Sequence, residues 1–294
     1  MGLNQRLNMG NSDSEPVATP PIGGSMAKYH SRALASLRFV LQRVLFRGLV
    51  LTAIRPSVKL DPGVRQLEGG FLVVANHASH VDAPIIAQSL PRQQAKFLAA
   101  GVAFDYFFQS WPKRWFVRLL FNAFPIYRGG SHSNSAIPRA LLRTGLPVLL
   151  FPEGGRQRTG AIADFKVGSL KLAIDTGVPI VPTAVVGGYD AMPKGRSWPL
   201  PGRPPVRVVF GAPFTPAPGE SPAACTTRVQ ALIEDLYDAG SDEIGVARLT
   251  RRNRSADQAG NREQAGRERG ENDLREDLTD SAERGDVTDE GMKN

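Results

Sequence analysis

At 294 residues with 41% apolar content, the chain can bury a real core as one large domain or two small ones, and its single cysteine, Cys225, excludes an intrachain disulfide or a cysteine-built metal cluster. One cysteine also suits a reducing compartment. The net charge of +8 conceals an asymmetry: residues 241–294 hold 10 basic and 14 acidic side chains, leaving 26 against 14 in the rest, an excess that calls for an anionic membrane surface, nucleic acid or phosphorylated substrate.

Residues 1–26 are rich in Gly, Ser, Pro and Asn without apolar periodicity, and are predicted to form a disordered lead. They lack the apolar stretch of a secretory signal. Residues 27–60 follow as a basic amphipathic element: Lys28 to Lys59 contains seven basic residues and no acidic one. Leu34, Leu37, Leu41, Val44 and Leu45 make one helical stripe, and Phe39, Phe46 and Val50 a second. Arg38, Arg43 and Arg47 interrupt the run, which is too broken for a bilayer span and fits a helix lying in the headgroup layer. The alternative is a helix packed on the core with arginines at its edges. No nucleic-acid-binding motif accompanies the charge, so nucleic acid is not an expected partner.

Phe71 to Ala75 reads as a buried strand, followed by a polar loop and a helix over 82–90. His77 then stands at the carboxyl end of a strand, where α/β sheets bind ligands. Its imidazole can take a proton from a hydroxyl, and Asp82 can hold the ring in one tautomer. Asp82 could equally cap the helix, and His77, His80 and Asp82 are conceivable metal ligands. Lys96–Ala100 is a further candidate strand. The aromatic run from Phe104 to Trp111, with Trp115 and Phe116 close behind, suits a membrane interface, an acyl-chain entrance or a buried core.

Ala123–Tyr127 reads as a strand delivering Arg128 to the same rim, where a guanidinium can grip a phosphate bidentately. A helix over 135–144 precedes a strand over 147–151, which brings Glu153, Gly154, Gly155 and Arg156 to the rim. The glycines permit close backbone approach, and Lys166 adds charge at the start of a helix running to about Asp175. Glu153 could also pair with an arginine. Strands over 179–186 and 206–210 and a helix over 226–237 complete a domain spanning 61–240. The charged tail, 241–294, is predicted to be disordered. Strand–helix alternation makes this an α/β fold: one domain with a largely parallel central sheet flanked by helices, preceded by an interfacial helical element.

Four blocks carry a family resemblance. Asn76-His77 through Asp82 resembles the Asn-His-x4-Asp block of the glycerophospholipid acyltransferases, which include the lysophosphatidate (1-acylglycerol-3-phosphate) acyltransferases. Phe124-Pro125-Ile126-Tyr127-Arg128 resembles the second block. Phe151-Pro152-Glu153-Gly154-Gly155-Arg156, continued by Phe165-Lys166-Val167-Gly168, is similar to the third, with Gly155 where threonine is usual. Val178-Pro179-Ile180-Val181-Pro182 resembles the fourth. The resemblance implies acyl transfer from an acyl-CoA or acyl carrier protein thioester to a lysophospholipid hydroxyl, with the thioester as co-substrate and no resident cofactor or metal. His77 and Asp82 would be catalytic, with Asn76 and Gly155 as supporting loop. Arg128, Glu153, Gly154, Arg156 and Lys166 would bind phosphate and glycerol. The chain would sit peripherally on the cytoplasmic face of a membrane, meeting its lipid substrate at an anionic surface. The rivals are a metal-dependent hydrolase using His77, His80 and Asp82, and a catalytically silent membrane-bound scaffold.

Overall fold

Among the described residues, seven strands order the chain. They are β1 (Arg55–Leu60), β2 (Leu72–Ala75), β3 (Ala99–Ala103), β4 (Phe124–Ile126), β5 (Val148–Leu150), β6 (Ile180–Val186) and β7 (Pro205–Phe210). They form one sheet in the order β1-β7-β6-β2-β5-β3-β4. The β6–β7 pair is antiparallel and the other neighbours are parallel, so β2 to β6 all point their carboxyl ends at one rim. The structure, a computed structural model, describes residues 26–104, 111–127 and 135–249. Arg128, the aromatic residues between 105 and 110, the lead up to residue 25 and the tail from 250 lie outside the described residues.

Alternation along β2 explains the layers. Leu72 and Val74 pack with Leu170, Val229 and Ile233 of the helices Val167–Thr176 and Pro222–Ile244. Val73 and Ala75 pack with Ile85 and Ile86 of the helix Asp82–Ser89. Successive strand side chains face opposite ways, so a strand covered on both sides must be apolar throughout, and β2 and β6 are buried at every position. The last helix starts at a Ser221 cap, whose Oγ accepts from the Ala224 N–H, with Pro222 in its first turn. It ends on Gly245 in the left-handed conformation, φ 72°. The packed chain thus continues past residue 240, and Leu249 is buried. Together these layers make a single α/β domain with a mostly parallel sheet.

Two expectations shift. The basic element predicted over 27–60 gives way at Arg55 to β1, an edge strand paired along its length with β7. Lys96 belongs to the helix Arg92–Phe97, and the strand after it starts at Ala99.

The N-terminal helix runs as Arg32–Val40, a π-helical turn over Leu41–Phe46, and Arg47–Ala53. The second predicted stripe turns inward: Val50 is buried, and Phe46 meets Phe121 edge-on at 6.2 Å. From the first stripe, Leu34, Leu37 and Val44 face out, joined by Val40 and Leu51. Two arginines expected to meet lipid do not. Arg38 is 2% exposed and donates to Leu119 O, Lys96 O and Asn122 Oδ1 at 2.9–3.0 Å. Burial lowers its pKa to about 10. Arg43 donates to Leu90 O at 2.9 Å. A guanidinium presents five donors, so these arginines satisfy last-turn carbonyls of helices that have no partner within their own helix.

Candidate active site

β2 ends at Ala75, and the next residue keeps the ladder going by other means. Asn76 accepts from the Val185 N–H through Oδ1 at 2.7 Å and donates to Val185 O through Nδ2 at 3.1 Å. Its side-chain amide takes the place of backbone there, so the chain leaves the sheet without orphaning β6. His77 is the first residue to turn away.

On one continuous helix, residues five apart would point about 140° from each other. The loop 76–81 removes that obstacle. His77 Nδ1 lies 2.9 Å from Asp82 Oδ2, with side-chain exposures of 22% and 0%. The same carboxylate oxygen accepts from the Ala78 and Ser79 N–H groups, each at 2.8 Å, and the Ser79 hydroxyl donates to Oδ1. Asp82 is the first residue of its helix and turns its carboxylate back onto the loop, so the helix-cap alternative does not describe it. An ionised carboxylate only accepts, so Nδ1 carries the proton and Nε2 keeps its lone pair. Phe151 stacks on the imidazole at 4.1 Å.

The loop after β5 grips the backbone of His77 from both sides. Glu153 Oε1 accepts the His77 N–H at 2.6 Å, and the Gln157 N–H donates to His77 O at 3.1 Å. Glu153 Oε2 accepts the Ala163 N–H at 3.1 Å. Burial raises the Glu153 pKa to about 7, opposed by the amides it accepts. These contacts go to backbone amides, whereas the sequence suggested glycerol or an arginine.

Gly154 has φ 74° and closes a turn by donating to Phe151 O at 3.1 Å, which commits its amide to the turn. The Lys166 side chain lies over it: a Cβ on Gly154 would meet Nζ at 2.5 Å. A Cβ on Gly155 would meet nothing within 4 Å, so the usual threonine would fit. Lys166 donates its N–H to Pro152 O and immediately precedes the helix Val167–Thr176. Arg156 has a buried Nη1 without a hydrogen-bond partner, and its carbonyl accepts from Lys194 Nζ at 3.0 Å. Burial, and then the charge of Arg156, push the His80 pKa down to about 4.

Among the described residues no three His, Cys, Asp or Glu side chains converge as a metal group, and Asp82 directs its carboxylate at the loop amides, Ser79 and His77.

Residue types alone did not signal Phe151, Gln157, Ser79 or Gly188. A Cβ on Gly188 would meet Asp82 Oδ1 at 2.7 Å and Ser79 Oγ at 3.1 Å, so the pair is packed against a position open only to glycine. Ser79, three residues before Asp82, is the one that spacing could have flagged.

Residues 55–186 match the family model described as Acyltransferase. The chain is 27% identical over 147 residues to a 1-acyl-sn-glycerol-3-phosphate acyltransferase of Cocos nucifera, an alignment covering 49% of this chain and 45% of that protein. It is 30% identical over 124 residues to a probable 1-acyl-sn-glycerol-3-phosphate acyltransferase of Mycoplasma pneumoniae, covering 41% and 46%. The chain thus spans about half the length of these curated relatives. The crystal structure of the 1-acyl-sn-glycerophosphate (LPA) acyltransferase PlsC from Thermotoga maritima shares the fold, with a TM-score of 0.56 and 23% identity over 72% of this chain and 85% of that one.

Proposed function

We propose that the chain, whose residues 55–186 match the Acyltransferase family model, transfers a fatty acyl group from a thioester to the hydroxyl of a lysophospholipid such as 1-acylglycerol-3-phosphate, in phospholipid biosynthesis or remodelling. The observation that carries the proposal is the His77–Asp82 pair at 2.9 Å on the sheet rim. His77 Nε2 removes the acceptor's hydroxyl proton as its oxygen attacks the thioester carbon. The oxyanion then collapses, the C–S bond breaks, and the imidazolium returns the proton to the leaving thiolate. The buried Asp82 carboxylate stabilises the imidazolium meanwhile. No acyl-enzyme is required, since Cys225 is buried in the helix Pro222–Ile244 and the Ser79 hydroxyl is directed at Asp82.

Arg156 and Lys166 flank the site and are the proposed cations for the acceptor's phosphate, with Arg128 as a third. Acyl-CoA or an acyl carrier protein thioester is the proposed donor. The proposed location is the cytoplasmic face of a membrane, peripherally bound. Its support is the outward row Leu34, Leu37, Val40 and Val44, while among the described residues no helix is long and apolar enough to cross a membrane.

The test combines labelled acyl-CoA, 1-acylglycerol-3-phosphate and a thiol-release readout, with products resolved by lipid chromatography. His77→Ala lowers kcat by roughly 10²–10⁴-fold, the usual range for general-base catalysis. A His77→Ala protein with full activity would remove the mechanism.

A further inference from the structure

A loop after β6 lies beside the candidate active site. β6 runs parallel to β2, so its carboxyl end meets the same rim as His77, and the helix Gly188–Ala191 that follows starts against Asp82. The Leu200 N–H donates to Ala191 O at 2.8 Å, closing residues 192–199 into a loop whose base, Met192 and Pro199, is buried. At its tip the Arg196 N–H donates to Pro193 O at 3.2 Å around Gly195, φ 101°. Lys194 Nζ, from the same turn, donates to Arg156 O at 3.0 Å, which fastens this loop to the one after β5. The residues from Lys194 to Trp198 are exposed, Trp198 by 50%.

On the basis of the acyl transfer proposed above, we propose that this loop binds the 3′-phosphoadenosine diphosphate end of a coenzyme A thioester, with the adenine stacked on Trp198 and the phosphates held by Arg196 and Arg158. Every base has a π-face, for which an indole in water is a platform, and a guanidinium grips phosphate oxygens in pairs. Arg158 is exposed two residues beyond Arg156, whose carbonyl Lys194 holds, so the hydrogen bond between the loops brings both arginines to one junction. Among the described residues neither Arg158 nor Arg196 makes an ion pair. Residues 188–204 hold three basic side chains and one acidic, Asp190 in the helix at the loop's base.

The chemistry of the loop fits the donor better than the acceptor. A lysophospholipid has no ring to stack, and its phosphate is assigned to Arg156 and Lys166. An acidic carrier protein needs a broad basic face, whereas one indole with two guanidiniums matches a single purine and its phosphates. The pantetheine arm is a long flexible linker, so a nucleotide held at this loop leaves the thioester carbon to reach His77.

The experiment compares the full chain's KM for an acyl-CoA with its KM for the same acyl group on pantetheine, which lacks the nucleotide. Trp198→Ala raises KM for acyl-CoA roughly 5- to 150-fold, the range for one stacked base. Arg196→Ala and Arg158→Ala raise it by up to about fivefold each, the scale of exposed ion pairs. In all three, kcat and the KM for acyl-pantetheine stay unchanged, which also reports that the variants fold. Arg143→Ala, in the last turn of the helix Ala136–Arg143, changes neither KM. Equal changes for the two donors, or none for acyl-CoA, would overturn the proposal. So would variants that raise KM only for an acyl carrier protein thioester, or a Trp198→Ala protein that loses only vesicle binding, since the loop would then face a protein or a membrane. Isothermal titration with adenosine 3′,5′-bisphosphate reads the site without turnover: the parent binds, and Trp198→Ala weakens binding by the same factor as its KM. Such binding in a chain inactive with every thioester supports the nucleotide site and sinks the acyl transfer, whereas no binding overturns the site itself.

Discussion

Glu153 holds His77 by its backbone, and its removal separates positioning from substrate binding. In Glu153→Gln the side chain keeps its shape, but one oxygen becomes an NH₂ facing either the His77 or the Ala163 N–H, both donors. One amide then loses its acceptor in a buried place, at about 1–3 kcal/mol. If that displaces the imidazole, kcat falls roughly 5- to 150-fold, while KM for the lysophospholipid changes little because no phosphate contact is removed. The pH dependence gives a second readout. Only the ionised carboxylate accepts fully from both amides, and burial raises its pKa to about 7, so the grip tightens and kcat rises as pH passes through about 7. Stability moves the other way. The folded pKa lies above the ordinary 4.5, so between 4.5 and about 7 the folded state binds more protons than the unfolded one. The group's contribution is complete below 4.5 and is lost as pH rises through about 7. Glu153→Gln should flatten both curves. Steady-state kinetics and thermal unfolding across pH 5–8.5 would show this, and a variant losing only KM, with both profiles unchanged, would refute the positioning role.

Two more perturbations probe the frame. Gly188→Ala puts a methyl 2.7 Å from Asp82 Oδ1 and should displace the acid, lowering kcat on the order of 10²-fold, the scale of ångström misplacement; unchanged kcat would mean that the pair tolerates the shift. Arg38→Ala leaves two helix-end carbonyls and the Asn122 amide oxygen without their donor, so unfolding should ease by about 3 kcal/mol. For a domain this size that is a melting point lower by about 6–12 °C, and a variant melting with the parent would show that water or a neighbour replaces the guanidinium.

Local order was legible where cause and effect lie close in the chain. The apolar runs at 71–75 and 179–186 read as strands, the first of them buried, and His77 and Asp82, five residues apart, were recoverable as a pair because the loop between them is short. The N-terminal stripes were visible too. Which stripe faces inward was not, since Arg38 finds its partners at Lys96, Leu119 and Asn122, 58 to 84 residues away. Glu153 looked like a substrate ligand by residue type, yet its partner is an amide 76 residues distant.

Sequence alone determined the parallel strand plan and the placement of an imidazole beside a carboxylate, because backbone sterics and side-chain alternation act within a few residues. Only tertiary structure decided what holds that imidazole still and which arginines of the N-terminal helix turn inward. Those outcomes depend on buried amides, carbonyls and guanidinium donors meeting across the sheet, where each burial is stable only when the distant partner is present.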